Sequence, residues 1–261
     1  MKVLLLNENL FLCANMKILN AVITHKDFYW NDLPNEELKK YLVLTYNDIK
    51  TNIPNVLKLE RPTEFDDRFY SEMSYIKYIR HNIDLDWVTI SHYRRRLELP
   101  NYNTLYVPEP FIFKMNLKDF YSMYHNAEDL NLITKIIMES NFNDEYKLEW
   151  LKSLEDNYMI CYNMFSLPKV VFYDLVDIYE HIMNKFISIR NFKSFDDVVK
   201  YCDKLPNKDQ NSMPYRIGGF LAERLTNCYF RLYAKKHNLF PSIINPVFSC
   251  NVKLLENNMD I

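Results

Sequence analysis

The sequence predicts an α/β protein of one domain, with helices flanking a central, mostly parallel sheet. Three observations lead there. Short, apolar, β-branched runs alternate along the chain with segments whose apolar residues recur at helical spacing. The strand-like runs end in polar clusters, and in open α/β sheets ligands bind beyond the carboxyl ends of the strands. The chain has 261 residues, 48% hydrophobic and 25% charged, enough to bury one full core, and no repeat, low-complexity tract or linker divides it.

Residues 1–15 precede this pattern. Their apolar run is broken by Asn7, Glu8 and Asn9 and lacks a small-residue cleavage site. They read as an N-terminal extension, with the domain spanning residues 16–261. Residues 18–24 (ILNAVIT) form the first strand and empty into His25-Lys26; residues 41–45 (YLVLT) form the second, closed by Tyr46-Asn47-Asp48. Over residues 67–82, Phe69, Met73, Ile76 and Ile79 recur at helical spacing. Residues 86–91 (DWVTIS) form the third strand and release His92-Tyr93-Arg94-Arg95-Arg96 from its carboxyl end. Leu117, Phe120, Tyr124, Leu130, Ile133 and Ile137 mark one or two helices over residues 117–139. Residues 158–162 make another short strand followed by Asn163-Met164-Phe165, residues 168–188 a helix, and the polar stretch to Pro214 a loop. The last helix spans residues 220–233 and is opened by Gly218-Gly219.

Composition excludes several functions. The net charge is −2, with an isoelectric point near 6.3, which argues against nucleic acid as the main partner. There are only 2 glycines, adjacent to each other, where ordinary usage gives roughly 18. A P-loop, a GxGxxG dinucleotide turn and a kinase-type glycine loop are therefore absent. The 5 cysteines form no CxxC pair, so they read as small buried thiols in a reducing compartment rather than as a disulfide frame or a zinc site. No stretch approaches 18 uninterrupted apolar residues, so no membrane-spanning helix is expected.

Two segments carry the chemistry. His92-Tyr93-Arg94-Arg95-Arg96 is the densest cationic cluster, and arginine's planar fork suits bidentate contact with a diphosphate; a solvated basic turn paired with Glu98 is the alternative. Both glycines lie in Arg216-Ile217-Gly218-Gly219-Phe220-Leu221-Ala222-Glu223-Arg224-Leu225, where the backbone is expected to turn sharply or approach a ligand. In the following helix Glu223, Asn227 and Arg231 share one face, and a partly buried Glu223 could serve as a general base; ordinary helix ion pairs are the alternative. The acidic pairs are weaker signals. Asp84-Leu85-Asp86 precedes its strand, which puts it at the end away from the crevice, and it reads as a solvated turn rather than a Mg²⁺ or Mn²⁺ site. His125 and His181 stand alone and read as packing or surface histidines.

Taken together, a strand ending in His-Lys, Tyr70-Ser71-Glu72, His92-Tyr93-Arg94-Arg95, Tyr162-Asn163-Met164-Phe165 and Gly219-Phe220-Leu221-Ala222-Glu223-Arg224-Leu225 follow in this order. Over roughly residues 16–233 the sequence resembles the HYRR-motif glycosyltransferase-like family of bacterial capsule, exopolysaccharide and O-antigen loci. That resemblance implies an A-type glycosyltransferase-like fold. It also implies transfer of a sugar from a UDP-sugar, UDP-galactofuranose among the candidates, to a growing capsular or lipopolysaccharide glycan. His92-Tyr93-Arg94-Arg95 stands where A-type enzymes carry a metal-binding DxD, so arginine charge is expected to replace the metal, with Mn²⁺ or Mg²⁺ as the alternative. Arg96 departs from the family pattern, which has an aromatic residue there.

In this reading His25 and Lys26 line the nucleotide end, and Glu72 contacts base or ribose. His92, Arg94 and Arg95 hold the diphosphate, and Asn163 sits beside the donor sugar or the acceptor. Glu223 is the base, and Arg216 or Arg224 steadies it or a phosphate. The expected location is cytoplasmic, with peripheral contact at the inner face of the cytoplasmic membrane through the basic and aromatic stretch from Tyr229 to His237. A phosphotransferase and a non-catalytic carbohydrate-binding or assembly protein are the alternatives.

Overall fold

A computed structural model describes residues 16–62, 64–97, 105–205, 213–237, 249–250 and 252–254; the expected extension at residues 1–15 and the Glu98 alternative lie outside the described residues. The first half contains β1 (Ile18–Ile23), α1 (Asn35–Leu38), β2 (Leu42–Thr45), β3 (Val56–Lys58), α2 (Asp67–Tyr70), α3 (Met73–Asn82), β4 (Trp87–His92), β5 (Arg95–Leu97), β6 (Val107–Pro108) and β7 (Phe111–Ile112). The second half contains α4 (Leu117–Tyr124), α5 (Ala127–Glu139), α6 (Asp144–Glu155), β8 (Tyr158–Met159), β9 (Phe165–Pro168), α7 (Lys169–Arg190), α8 (Phe195–Cys202), α9 (Ile217–Lys236), β10 (Ser249–Cys250) and β11 (Val252–Leu254).

The protein is α/β, with a mixed, mostly parallel central sheet flanked by helices. Strands β3, β2, β1 and β4 run parallel in that order, while β9 pairs antiparallel with β4 and the β5–β11 edge is antiparallel. Alternation along the strands explains the layering. Ala21, Ile23, Leu44, Val88 and Ile90 face the main core, which the helices cover. Val22 and Val43 face the opposite side, where Phe28, Trp30, Leu38 and Tyr41 cover the sheet. β1 and β4 lie in register from Ile18↔Trp87 to Ile23↔His92, so His25 and the HYRR segment emerge side by side at the carboxyl ends.

Several elements differ from expectation. The helix expected over residues 67–82 is two helices, broken at Ser71, whose φ of 54° is left-handed. The stretch expected to be a loop up to Pro214 contains α8, started by a reciprocal cap in which the Asp197 side chain accepts the Ser194 backbone N–H. α6 was hidden because its pattern is broken by charge, yet Asn143 caps it by accepting the Tyr146 N–H at 2.8 Å. Arg96 leaves the crevice: both of its terminal nitrogens donate to Asp32, at 3.0 and 2.7 Å, and its guanidinium lies over Trp30.

The glycine pair is inside α9 and not a turn before it, and neither glycine has positive φ. Its purpose is close packing. A Cβ on Gly219 would lie 2.5 Å from the Ser71 Cβ, and one on Gly218 would lie 2.9 Å from the Phe69 ring and 3.1 Å from the Phe69 carbonyl oxygen. Gly219→Ala therefore forces α9 away from the Ser71 break, at a cost of about 1–3 kcal/mol. In a chain of this size that corresponds to a fall in Tm of about 2–4 °C per kcal/mol, read by calorimetry; an unchanged Tm would contradict this packing.

Candidate active site

A narrow cleft opens at the carboxyl ends of β1 and β4. Ile23 and His25 line it from β1, His92 from β4, Ser71 and Glu72 from the break between α2 and α3, and Arg216 from the start of α9. Asn47 holds the loop after β1, its side-chain amide donating to the His25 carbonyl at 2.8 Å.

His92 is buried, and its Nδ1 accepts the Arg94 backbone N–H at 3.2 Å. That bond assigns the proton to Nε2, which faces Glu72 Oε1 at 3.8 Å. Burial first, then Arg94 and Arg95, push the imidazole pKa well below its ordinary value, so His92 is neutral. His25 is lowered as well, by burial and then by Arg216. The cleft thus gains hydrogen-bonding imidazoles whose charge is suppressed by burial and, after it, by fixed arginine charge. Tyr93 carries Lys26 at 5.2 Å and Arg94 at 5.3 Å from its ring, and the Arg94 Nε is buried without a partner.

Arg95 stacks on Tyr162 at 3.9 Å, which links the HYRR turn to the far wall. Tyr162 and Asn163 are both left-handed, with φ of 75° and 48°, a conformation that non-glycine residues hold only when the surroundings impose it. Here α9 imposes it. Glu223 Oε1 accepts the Tyr162 backbone N–H at 2.8 Å, Asn227 Oδ1 accepts that of Ile160 at 3.1 Å, and Thr226 donates to Asn163 Oδ1 at 3.2 Å. Burial lifts the Glu223 carboxyl to a pKa of about 7 against the pull of Arg224; Glu72 lifts it further, and the Tyr162 amide and Arg95 draw it down. Part of the side chain still meets solvent.

The structure therefore brings His25, Glu72, His92, Arg95, Arg216 and Glu223 together, with Lys26 and Arg94 on the Tyr93 side. Two expected site residues turn inward. Asn163 is 1% exposed and supports the strained turn instead of facing the crevice. Arg224 is also 1% exposed, donates to the Phe220 carbonyl at 2.7 Å and lies over the Tyr121 ring, so it reaches Glu223 only through its field. The residue missed is Tyr162, whose amide and ring join Glu223 to Arg95. The signal was the Tyr-Asn pair itself, since asparagine is enriched in left-handed backbone.

Other candidates fall to structural duties. Asp84 pairs with Lys17 and Lys169, and Asp86 accepts the Lys17 backbone N–H, at the amino end of β4. Among the described residues no group of three or more His, Cys, Asp or Glu side chains is placed to hold a metal ion. His125 is buried between Tyr121 and Phe220, and His181 packs against Phe142. In the stretch offered for membrane contact, Phe230 is fully buried and Arg231 is buried against Glu149 and Asp156, while Lys235, Lys236 and His237 are exposed, Lys235 pairing with Glu149 and Lys236 with Glu145. No described helix is long and apolar enough to cross a membrane.

No family model matches the chain, and no curated protein matches it. Among solved structures the chain is similar to that of the bifunctional glycosyltransferase WbbM in its apo form, at 16% identity with a TM-score of 0.61. The similarity covers 84% of this chain and 43% of WbbM, so the chain spans less than half of that structure. It establishes a glycosyltransferase-like fold.

The raised Glu223 pKa has a consequence for stability. Between the unfolded value of 4.5 and the folded value of about 7 the native state binds the extra proton, so this group costs stability as pH rises through that window. Glu223→Gln keeps the acceptor for Tyr162 and abolishes the titration. Its Tm should match the wild type below about pH 4.5 and exceed it increasingly up to about pH 7. A difference independent of pH would contradict the raised pKa.

Proposed function

We propose that this protein is a glycosyltransferase that moves a sugar from a nucleoside-diphosphate sugar to the hydroxyl of a glycan acceptor. One observation supports it above the others: on a glycosyltransferase-like fold, a half-buried glutamate with a pKa of about 7 sits beside an arginine-bearing turn at the carboxyl ends of the sheet. The resemblance of His92-Tyr93-Arg94-Arg95 and of the Gly219–Leu225 segment to the HYRR-motif family agrees with it and suggests UDP-galactofuranose and a lipid-linked surface polysaccharide.

In this reading Arg94, Arg95 and Arg216 hold the diphosphate, and His25 and His92, whose protonation burial and arginine charge disfavour, supply hydrogen bonds. Glu72 takes base or ribose, and Glu223 removes the proton from the acceptor hydroxyl. The acceptor oxygen then bonds to the anomeric carbon as the bond from that carbon to the diphosphate oxygen breaks. The departing diphosphate takes the electron pair, and arginine charge stabilises it. Side chains with permanent charge can do this without a metal.

A panel of UDP-sugars, scored for thermal stabilisation and for turnover with and without EDTA, tests the function. Turnover that survives EDTA supports arginine in place of metal, and complete, Mn²⁺-reversible loss overturns that part. Stabilisation by none of the sugars, and turnover of none, overturns the whole. Replacing Arg94 or Arg95 by Ala should weaken UDP binding more than tenfold, from a lost charge-assisted contact of about 1.5–3 kcal/mol. Lys should rescue only in part, for want of the fork. Glu223→Gln should leave UDP affinity in place and lower kcat by roughly 10²–10⁴, so full activity in a folded variant removes Glu223 from the chemistry.

A further inference from the structure

Resting on that reading, we propose that the rings of Phe111, Phe113 and Phe120 form an acceptor platform, a carbohydrate-stacking surface that leads a glycan to Glu223.

The platform is continuous with the site. β7 pairs with β8, setting Phe111 opposite Met159, and β8 runs within three residues into the Tyr162 turn. Leu117, Met159 and Cys161 form a small buried cluster, with Phe111, Phe113 and Tyr162 packed around it. From there the aromatic series continues outward, Phe111 to Phe113 at 4.9 Å between ring centres and Phe113 to Phe120 at 4.3 Å. All three rings are half-buried, with their positions set by one another and by Phe113's backbone bonds to Asn157.

This suits a sugar chain. Aromatic faces carry negative charge and accept the weakly positive C–H faces of sugar rings, and a row of fixed rings offers successive sugars a footing at little entropic cost. Tyr162 divides the two substrates: Arg95 covers its ring from the donor side, and its amide holds Glu223, the base that the acceptor hydroxyl must reach. A lipid surface fits less well. The rings are flanked by exposed charges of both signs, Glu109 and Asp119 beside Lys114 and Lys118, whereas contact with an anionic bilayer needs an excess of cations.

Saturation-transfer NMR with trisaccharides of galactose, glucose and mannose tests the platform, beside UDP calorimetry and flotation with anionic liposomes. At least one trisaccharide should receive saturation from the wild-type protein. Phe113→Ala/Phe120→Ala should weaken that binding by roughly tenfold or more, while Phe113→Tyr/Phe120→Trp, which keeps the faces, should restore it. UDP affinity in the folded Ala variant should stay within about twofold of the wild type. Trisaccharide binding unchanged in the Ala variant, no trisaccharide binding to the wild type, or flotation that depends on the rings would each overturn the proposal. If the trisaccharide result holds and UDP binds no form of the protein, the carbohydrate surface stands and the transferase reading falls.

Discussion

The candidate site depends on how closely the amino end of α9 approaches the rest of the molecule. That helix must touch two irregular segments at once, the Ser71 break between α2 and α3 and the strained turn at Tyr162-Asn163. Gly218 and Gly219 remove the side chains that would hold it off the first, while Glu223, Thr226 and Asn227 reach across to bond the second. The Tyr179 hydroxyl seals the contact from behind by donating to the Gly218 carbonyl at 3.2 Å. A helix shifted outward by one methyl group would release the Tyr162 amide from Glu223 and with it the conformation of the turn.

The electrostatics follow from that packing. A cationic cleft would ordinarily hold nearby carboxylates fully ionised, yet Glu223 is lifted because its burial and the neighbouring Glu72 outweigh Arg224, Arg95 and one backbone amide. The two histidines move the opposite way, since burial and nearby arginines both disfavour a further positive charge. In the proposed reading, permanent charge and proton transfer thereby fall to different side chains within one cleft. The arginines hold their charge at any physiological pH, and Glu223, with a pKa of about 7, is poised to exchange a proton near neutrality.

Much of this arrangement was legible in the sequence, and its limits have physical reasons. The strands at residues 18–24, 41–45 and 86–91 read clearly because their interior positions are apolar and β-branched. Strand β9 did not, because Phe165–Pro168 is short and follows directly on the Tyr162 turn. Glu223 and Arg95, which the structure brings to one region, were singled out from residue type and spacing, since those are written locally. The inward positions of Asn163 and Arg224 were not, because burial is decided by which helix covers a residue, and that is tertiary information. The glycines gave the right place for the wrong reason: scarcity marked the segment, but the demand was for close helix packing and not for a ligand.

The three consecutive arginines show how one motif serves two ends. Arg94 and Arg95 remain with the cleft, where the guanidinium groups lie over the ring faces of Tyr93 and Tyr162. Arg96, the next residue along β5, points to the other side of the sheet and is spent on Asp32 and Trp30, with the Trp30 indole in turn donating to the Tyr93 carbonyl at 3.1 Å. Strand alternation separates Arg95 from Arg96, while Arg94 lies before β5 in the turn. The turn that presents two cations to the cleft is therefore anchored through the third, and Tyr93 is held by its backbone beneath while its ring carries charge above. In the proposed reading, a diphosphate site on an unanchored basic loop would lose the entropy of ordering it on every binding event, and anchoring the turn through Arg96 lowers that loss in advance.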